Sequence, residues 1–195
     1  LDPPPLTSSI VADFICAGLN NNLLAEELSP SLSRLERLLC KWFSERIGMP
    51  PTSGGVAASG GSLSNLMALV VARHHAGLQE DPTAVVIASS EAHVSLAKAI
   101  RVMGLPQDAL LKVATDDSGQ ICIKSLEKKL SGLRANRQKC FAIVATAGTT
   151  VRGAVDPIEE LAKFTLSEDI WLHVDGAIGG VFALAESTSS LVNGI

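Results

Sequence analysis

The chain has 195 residues, 47% of them hydrophobic, which is enough to bury one substantial core, and its length favours a single domain. Its formal net charge of -4 offers no basic footprint for nucleic acid or anionic lipid, leaving small, neutral or polar partners. The longest apolar runs, such as Leu66 to Ala72, fall far short of the roughly 20 residues needed to span a membrane, so a soluble protein is expected.

The opening Leu1-Asp2-Pro3-Pro4-Pro5 has no initiator Met and does not read as a signal peptide, so the true start is expected upstream; Pro3-Pro4-Pro5 reads as a leader and Thr115 to Gln120 as a turn. Cys16, Cys40, Cys122 and Cys140 are widely scattered and form no C-x-x-C pair. They indicate neither a metal site nor a disulfide framework and fit a reducing, cytoplasmic setting.

A first short helix is expected over Ile10 to Leu19, ended by Gly18 and the Asn20-Asn21-Asn22 run. A second should start at Ser29-Pro30, with Ser29 as cap, and run to Gly48. Along it Leu32, Leu35, Leu38, Leu39, Trp42, Phe43 and Ile47 form a stripe that should pack on something. Residues 1–50 are thus read as an N-terminal helical segment and residues 51–195 as a separate α/β part.

In that second part, short β-branched runs at 84–88, 110–114, 141–145 and 170–174 alternate with helical stretches near 62–76, 94–103, 124–135 and 157–166. Near-continuous apolar strands alternating with helices predict an α/β fold, a mostly parallel sheet covered on both faces. Ligands in such folds bind beyond the carboxyl ends of the strands, so the residues that follow each strand are the ones to inspect.

Ser59-Gly60-Gly61-Ser62 opens an apolar helix. Its glycines, free helix-start amides and the Ser62 hydroxyl suit a phosphate, although a capped helix after a flexible turn has the same pattern. It matches neither dinucleotide nor Walker-type signatures. Asp175, in Trp171-Leu172-His173-Val174-Asp175-Gly176-Ala177, follows a strand and would need a cation, a metal or several donors if buried; the plainer alternative is an Asp capping a turn. His93 follows the 84–88 strand and could stack on a flat ligand or shuttle a proton, or simply hydrogen-bond. His173 could be core, supporting or catalytic, while His74 and His75 are expected to face solvent. Thr146-Ala147-Gly148-Thr149-Thr150 is a further small, hydroxyl-rich loop at a strand end.

Taken in order, these segments resemble the group II pyridoxal-phosphate-dependent decarboxylases, which include glutamate, aromatic amino-acid and 2,4-diaminobutyrate decarboxylases. The resemblance runs from Ser29-Pro30 with Leu35-Glu36, through Gly60-Gly61-Ser62-Leu63-Ser64-Asn65-Leu66 and Ala72-Arg73, then Ser90-Glu91-Ala92-His93. It continues through Thr146 to Thr150 and Gly153-Ala154-Val155-Asp156-Pro157, and ends at His173 to Ala177. It implies the large domain of a fold type I enzyme, with Gly61 and Ser62 cradling the phosphate and His93 stacked on the ring. Thr146 would lie near the ring, Asp175 would partner the pyridine nitrogen, Ala177 would face the other side, and His173 would support them.

The resemblance further implies a homodimer that removes the α-carboxylate of an L-amino acid. The alternatives are another lyase or transaminase reaction on the same cofactor, or a noncatalytic fragment. Pro3-Pro4-Pro5-Leu6 and Ala17-Gly18-Leu19-Asn20 look closest to the diaminobutyrate branch. Gly176 and Ile178 stand where the family often has Ala and an aromatic. No Lys here stands in the His-Lys context that holds the cofactor covalently in the family; Lys98, Lys128, Lys129 and Lys163 fall on predicted helices. The sequence is therefore expected to stop short of that lysine.

Overall fold

The computed structural model describes residues 4–195, so Pro3 of the expected leader lies outside the described residues, as do Leu1 and Asp2. The chain divides into two compact units, Leu1–Ala57 and Ala58–Ile195. Among the described residues no helix is long and apolar enough to cross a membrane.

The first unit holds α1 (Thr7–Leu19) and α2 (Pro30–Arg46). Asn20 ends α1 in the left-handed region at φ 46°, a conformation asparagine tolerates, and its N–H donates to the Cys16 carbonyl. Ser29 does not act as the expected side-chain cap. At ψ 68° its backbone departs from the extended form that aims a cap at the first amides, and its carbonyl accepts the Ser33 N–H at 3.0 Å instead. The helix stops two residues before Gly48, which takes φ 76° while the Met49 N–H reaches back to the Ser44 carbonyl at 2.9 Å.

The apolar stripe of α2 is not packed away in this unit. Leu35, Leu38, Leu39, Trp42 and Phe43 are exposed, whereas Ser33 and Ser44 are buried. The physical reason is what reaches back onto the helix. Glu26 pairs with Arg37 at 2.6 Å, the Ala57 N–H donates to Glu36 at 2.9 Å, and Gly55 lies against Cys40. These contacts cover the more polar side and leave no second layer over the leucines.

The second unit is built on four parallel strands, β1 (Ala84–Ser89), β2 (Leu110–Val113), β3 (Lys139–Thr146) and β4 (Trp171–Asp175), in the order β2-β1-β3-β4. They alternate with α3 (Gly61–His75), α4 (Ser95–Val102), α5 (Ile123–Ala135) and α6 (Ile158–Glu168). The expected α/β class holds. β1 is buried throughout, as its Val- and Ala-rich sequence requires of a central parallel strand. β4 is only half-buried before Asp175, contrary to a strand buried on both faces, because it has one neighbour, β3.

α3 packs on α4, β3 and β4, while α5 lies against β2 and β3, and α6 against β3 and β4. Right-handed crossovers put α4 on one face of the sheet and α5 with α6 on the other. The core between these layers includes Leu69, Leu96, Ile100, Leu126, Ile143 and Leu161. Fully burying each such side chain contributes roughly 1.5–3 kcal/mol. The chain leaves β1 toward β2 and then crosses back to β3 on the other side of β1. That reversal opens a crevice at the carboxyl ends of the central strands, which positions a ligand site there.

Candidate cofactor site

The amino end of α3 supplies one wall. The Gly60 carbonyl accepts the N–H groups of Leu63 at 3.0 Å and Ser64 at 3.1 Å, and the amides of Gly61 and Ser62 come before Leu63, the first amide bonded within the helix. Together with the helix dipole they favour an anion. Ser62 is exposed in this first turn. Gly61 lies close to Ala177, and a Cβ at position 61 would sit 3.2 Å from the Ala177 Cβ. The glycine therefore permits a close approach that a larger residue would fill.

The ends of β3 and β4 supply the floor. Thr146 and Asp175 are the last residues of their strands and pair in register, so their side chains share the sheet face that α3 covers. Both lie on their strands rather than just past them, because this pairing extends the ladder to include them. Asp175 is 8% exposed, and its Oδ1 accepts the Ala177 N–H at 3.2 Å. Among the described residues no ion pair involves it. Thr146 is also buried, and its Oγ1 has no hydrogen-bond partner.

Two residues not singled out from the sequence complete the arrangement. Asn65, 3% exposed, donates from Nδ2 to Asp175 Oδ2 at 2.8 Å and to Ser95 Oγ at 2.9 Å, and its Oδ1 meets His173 Nε2 at 2.7 Å. Ser95 in turn meets His93 Nδ1 through its hydroxyl at 2.9 Å and through its N–H at 3.2 Å. His93 itself is exposed. The signal for Asn65 was available: it shares the buried stripe of α3 with Leu69 and Ala72, and an amide on such a stripe must find partners. His173 is pushed below the usual imidazole range by burial, with Asp175 pulling the other way, so the ring is neutral at neutral pH.

The loops around these residues are tied down by hydrogen bonds and close contacts. Asp156, from the Gly153-to-Pro157 motif, is buried and accepts the Thr146 and Ile121 N–H groups, each at 2.7 Å. Burial raises its carboxyl above the ordinary range, and the two amides oppose that rise. The Gly179 N–H donates to the Ala147 carbonyl at 2.9 Å, and a Cβ on Gly179 would lie 2.3 Å from that same oxygen. Only glycine fits there. Lys98, Lys128, Lys129 and Lys163 are exposed on α4, α5 and α6, and His74 and His75 are exposed at the far end of α3.

Gly61, Thr146, Asp175 and Ala177 therefore meet at one edge of the sheet, and His93 joins them through Ser95 and Asn65. Ser62 adjoins Gly61 along the chain. The arrangement offers helix-start amides to an anion, a buried carboxylate to a cation and an unpartnered hydroxyl between them.

The structure matches the glutamate decarboxylase domain of diaminobutyrate-pyruvate transaminase and L-2,4-diaminobutyrate decarboxylase from Vibrio parahaemolyticus. The TM-score is 0.92 at 28% identity, over 98% of this chain and 44% of that one. The fold is that of the large domain of fold type I pyridoxal-phosphate-dependent enzymes. Residues 6–195 match the pyridoxal-dependent decarboxylase conserved domain, and the chain belongs to that family. Among curated relatives, it is 35% identical to an aromatic-L-amino-acid decarboxylase of Bacillus atrophaeus, over 95% of this chain and 39% of the relative. It is 30% identical to an L-2,4-diaminobutyrate decarboxylase of Rhizobium meliloti, over 96% of this chain and 38% of that protein. The chain thus spans about two fifths of the length of the relatives it matches.

Proposed function

We propose that this chain forms the cofactor-binding part of a pyridoxal-phosphate-dependent L-amino-acid decarboxylase that works as a homodimer in the cytoplasm. The observation that carries the reading is the buried Asp175, which has two hydrogen-bond donors and no ion pair among the described residues. A buried carboxylate is costly unless a cation meets it, and a protonated pyridine nitrogen is such a cation.

The residues present fit the rest of the group. The amides of Gly61 and Ser62, with the Ser62 hydroxyl, would hold the phosphate. Thr146 Oγ1, buried without a partner, supplies a hydroxyl beside the ring. His93 would stack on one face of the ring, and the small Ala177 would leave room at the other. Asp175, held by Asn65 and the Ala177 amide, would meet the ring nitrogen and favour its protonated form. When bound, pyridoxal phosphate supplies an electron sink for the pair left as the α-carboxylate departs as carbon dioxide. His173, neutral and bonded to Asn65, supports the wall rather than carrying charge.

The test uses the full-length protein. It should carry bound pyridoxal phosphate that borohydride fixes to a lysine, and it should release carbon dioxide from at least one member of a panel of aromatic, acidic and diamino L-amino acids. Cofactor bound with carbon dioxide released from none of them, but with amino-group transfer to a keto acid, would assign transaminase chemistry instead. Failure to bind the cofactor at all would sink the reading.

A further inference from the structure

The hydrogen bonds around Asn65 determine where protons sit, because several of the participating atoms can play only one role. The Asn65 amide nitrogen has two hydrogens and places them on Asp175 Oδ2 at 2.8 Å and Ser95 Oγ at 2.9 Å. The opposite assignment would set two acceptor oxygens against each other in a buried place. The amide oxygen therefore faces His173 Nε2 at 2.7 Å, and since it can only accept, Nε2 carries the proton.

The same logic runs the other way along the chain of contacts. The Ser95 N–H can only donate, so His93 Nδ1, 3.2 Å away, presents its lone pair. Ser95 Oγ accepts from Asn65 at 2.9 Å and turns its own hydrogen to the same Nδ1 at 2.9 Å. With Nδ1 accepting, the ring proton of His93 belongs on Nε2, at the ring edge away from Ser95. Asn65 and Ser95 are 3% and 1% exposed, so water does not compete for these bonds.

We propose that Asn65 is a positioning residue: its amide holds Asp175 Oδ2 as an acceptor, places the proton of His173 on Nε2 and, through Ser95, places that of His93 on Nε2. The effect on cofactor affinity rests on the reading given above, whereas the proton placement does not. With Oδ2 bonded to Asn65 and Oδ1 to the Ala177 amide, the carboxylate is fixed in rotation and presents its remaining lone pairs in one direction. His93 and Asp175, on different elements, are oriented by one amide.

The experiment is nitrogen NMR of the full-length protein labelled at histidine, without cofactor, combined with titration of pyridoxal phosphate into wild type and variants. In wild type, both His93 and His173 should show a protonated Nε2 and a bare Nδ1. Asn65→Ala should remove the single protonation form of His173 and weaken pyridoxal phosphate binding by about 10- to 100-fold, the range for losing a hydrogen bond to a charged group. Ser95→Ala, which leaves the contact to Asp175 in place, should disturb His93 while His173 keeps its Nε2 proton. It also decides the matter if Asn65→Ala does not fold.

A His173 proton on Nδ1 in wild type, or unchanged histidine signals in the variants, would overturn the proposal. A wild-type protein that binds no pyridoxal phosphate but shows both Nε2 protons would defeat the cofactor reading and leave the proton placement standing.

Discussion

Asn65 Nδ2 lies 2.8 Å from Asp175 Oδ2 across 110 positions of sequence, and this bond joins the second turn of α3 to the last residue of β4. At the other end of the same helix, His75 meets Trp171 edge-on with ring centroids 5.5 Å apart. Trp171, His173 and Asp175 alternate along β4 and so share the face that α3 covers. The helix that offers amides to an anion is thereby locked to the strand that offers a carboxylate, and the spacing between the two is set by packing rather than by loops.

Replacing Asp175 with Ala in the full-length protein should weaken pyridoxal phosphate binding by at least about 30-fold, the lower end of the cost of truncating one partner of a buried charge pair. Turnover should nearly vanish even at saturating cofactor. Spectrophotometric titration followed by a carbon dioxide assay reads both; wild-type turnover would contradict the role given to Asp175.

Thr146→Val separates ligand binding from folding. Its Oγ1 has no partner in the protein, so the near-isosteric change breaks no internal hydrogen bond. Thermal unfolding of the cofactor-free form should be unchanged or slightly raised, while affinity for pyridoxal phosphate falls by about 2- to 10-fold, the worth of one neutral hydrogen bond. A clear loss of stability without loss of affinity would show that the hydroxyl serves the fold.

The glycines at the site should differ sharply. In Gly179→Ala the new Cβ would stand 2.3 Å from the Ala147 carbonyl oxygen, which is backbone and cannot swing aside. We expect a loss of about 1–3 kcal/mol or more in denaturant unfolding, as for other overpacked sites. In Gly61→Ala the neighbour is the Ala177 Cβ at 3.2 Å, a contact that relaxes with a shift of a few tenths of an ångström. That variant should keep most of its stability and lose cofactor affinity instead.

His173 makes a pH prediction whose sign follows from burial. Its folded form resists protonation, so as pH falls below the ordinary imidazole value of 6.5 the unfolded chain takes up a proton that the folded chain does not. The stability linked to this group is complete above that value and is lost toward the depressed folded value. His173→Gln keeps an N–H donor for Asn65 but does not titrate. Urea unfolding across this range should show a shallower acid-side decline in the variant, and identical slopes would contradict the assignment.

Much of the architecture is readable along the chain because its signals are local. Alternating β-branched runs and amphipathic stretches place the strands and helices of the second unit to within a residue or two, with the largest differences at the strand starting at Lys139 and the helix reaching Glu168. The turn at Thr115 to Gln120 is likewise visible, with Asp116 accepting the Ser118 and Gln120 N–H groups and Gly119 at φ 81°.

Gly61, His93, Thr146 and Asp175 stand out in sequence for the same reason: helix starts and strand ends mark where ligands gather in a parallel sheet. Local pattern cannot say which partners a side chain meets. Ser29 looks like a cap, but its backbone angle defeats it, and the α2 leucines look like a core face, but their unit provides no layer to cover them. Asn65 and Ser95 acquire their places only when α3 and α4 pack together beside β4. The order of the motifs was written in the residues themselves, whereas the bond between Asn65 and Asp175 required two distant segments in register, a condition that only the tertiary fold satisfies.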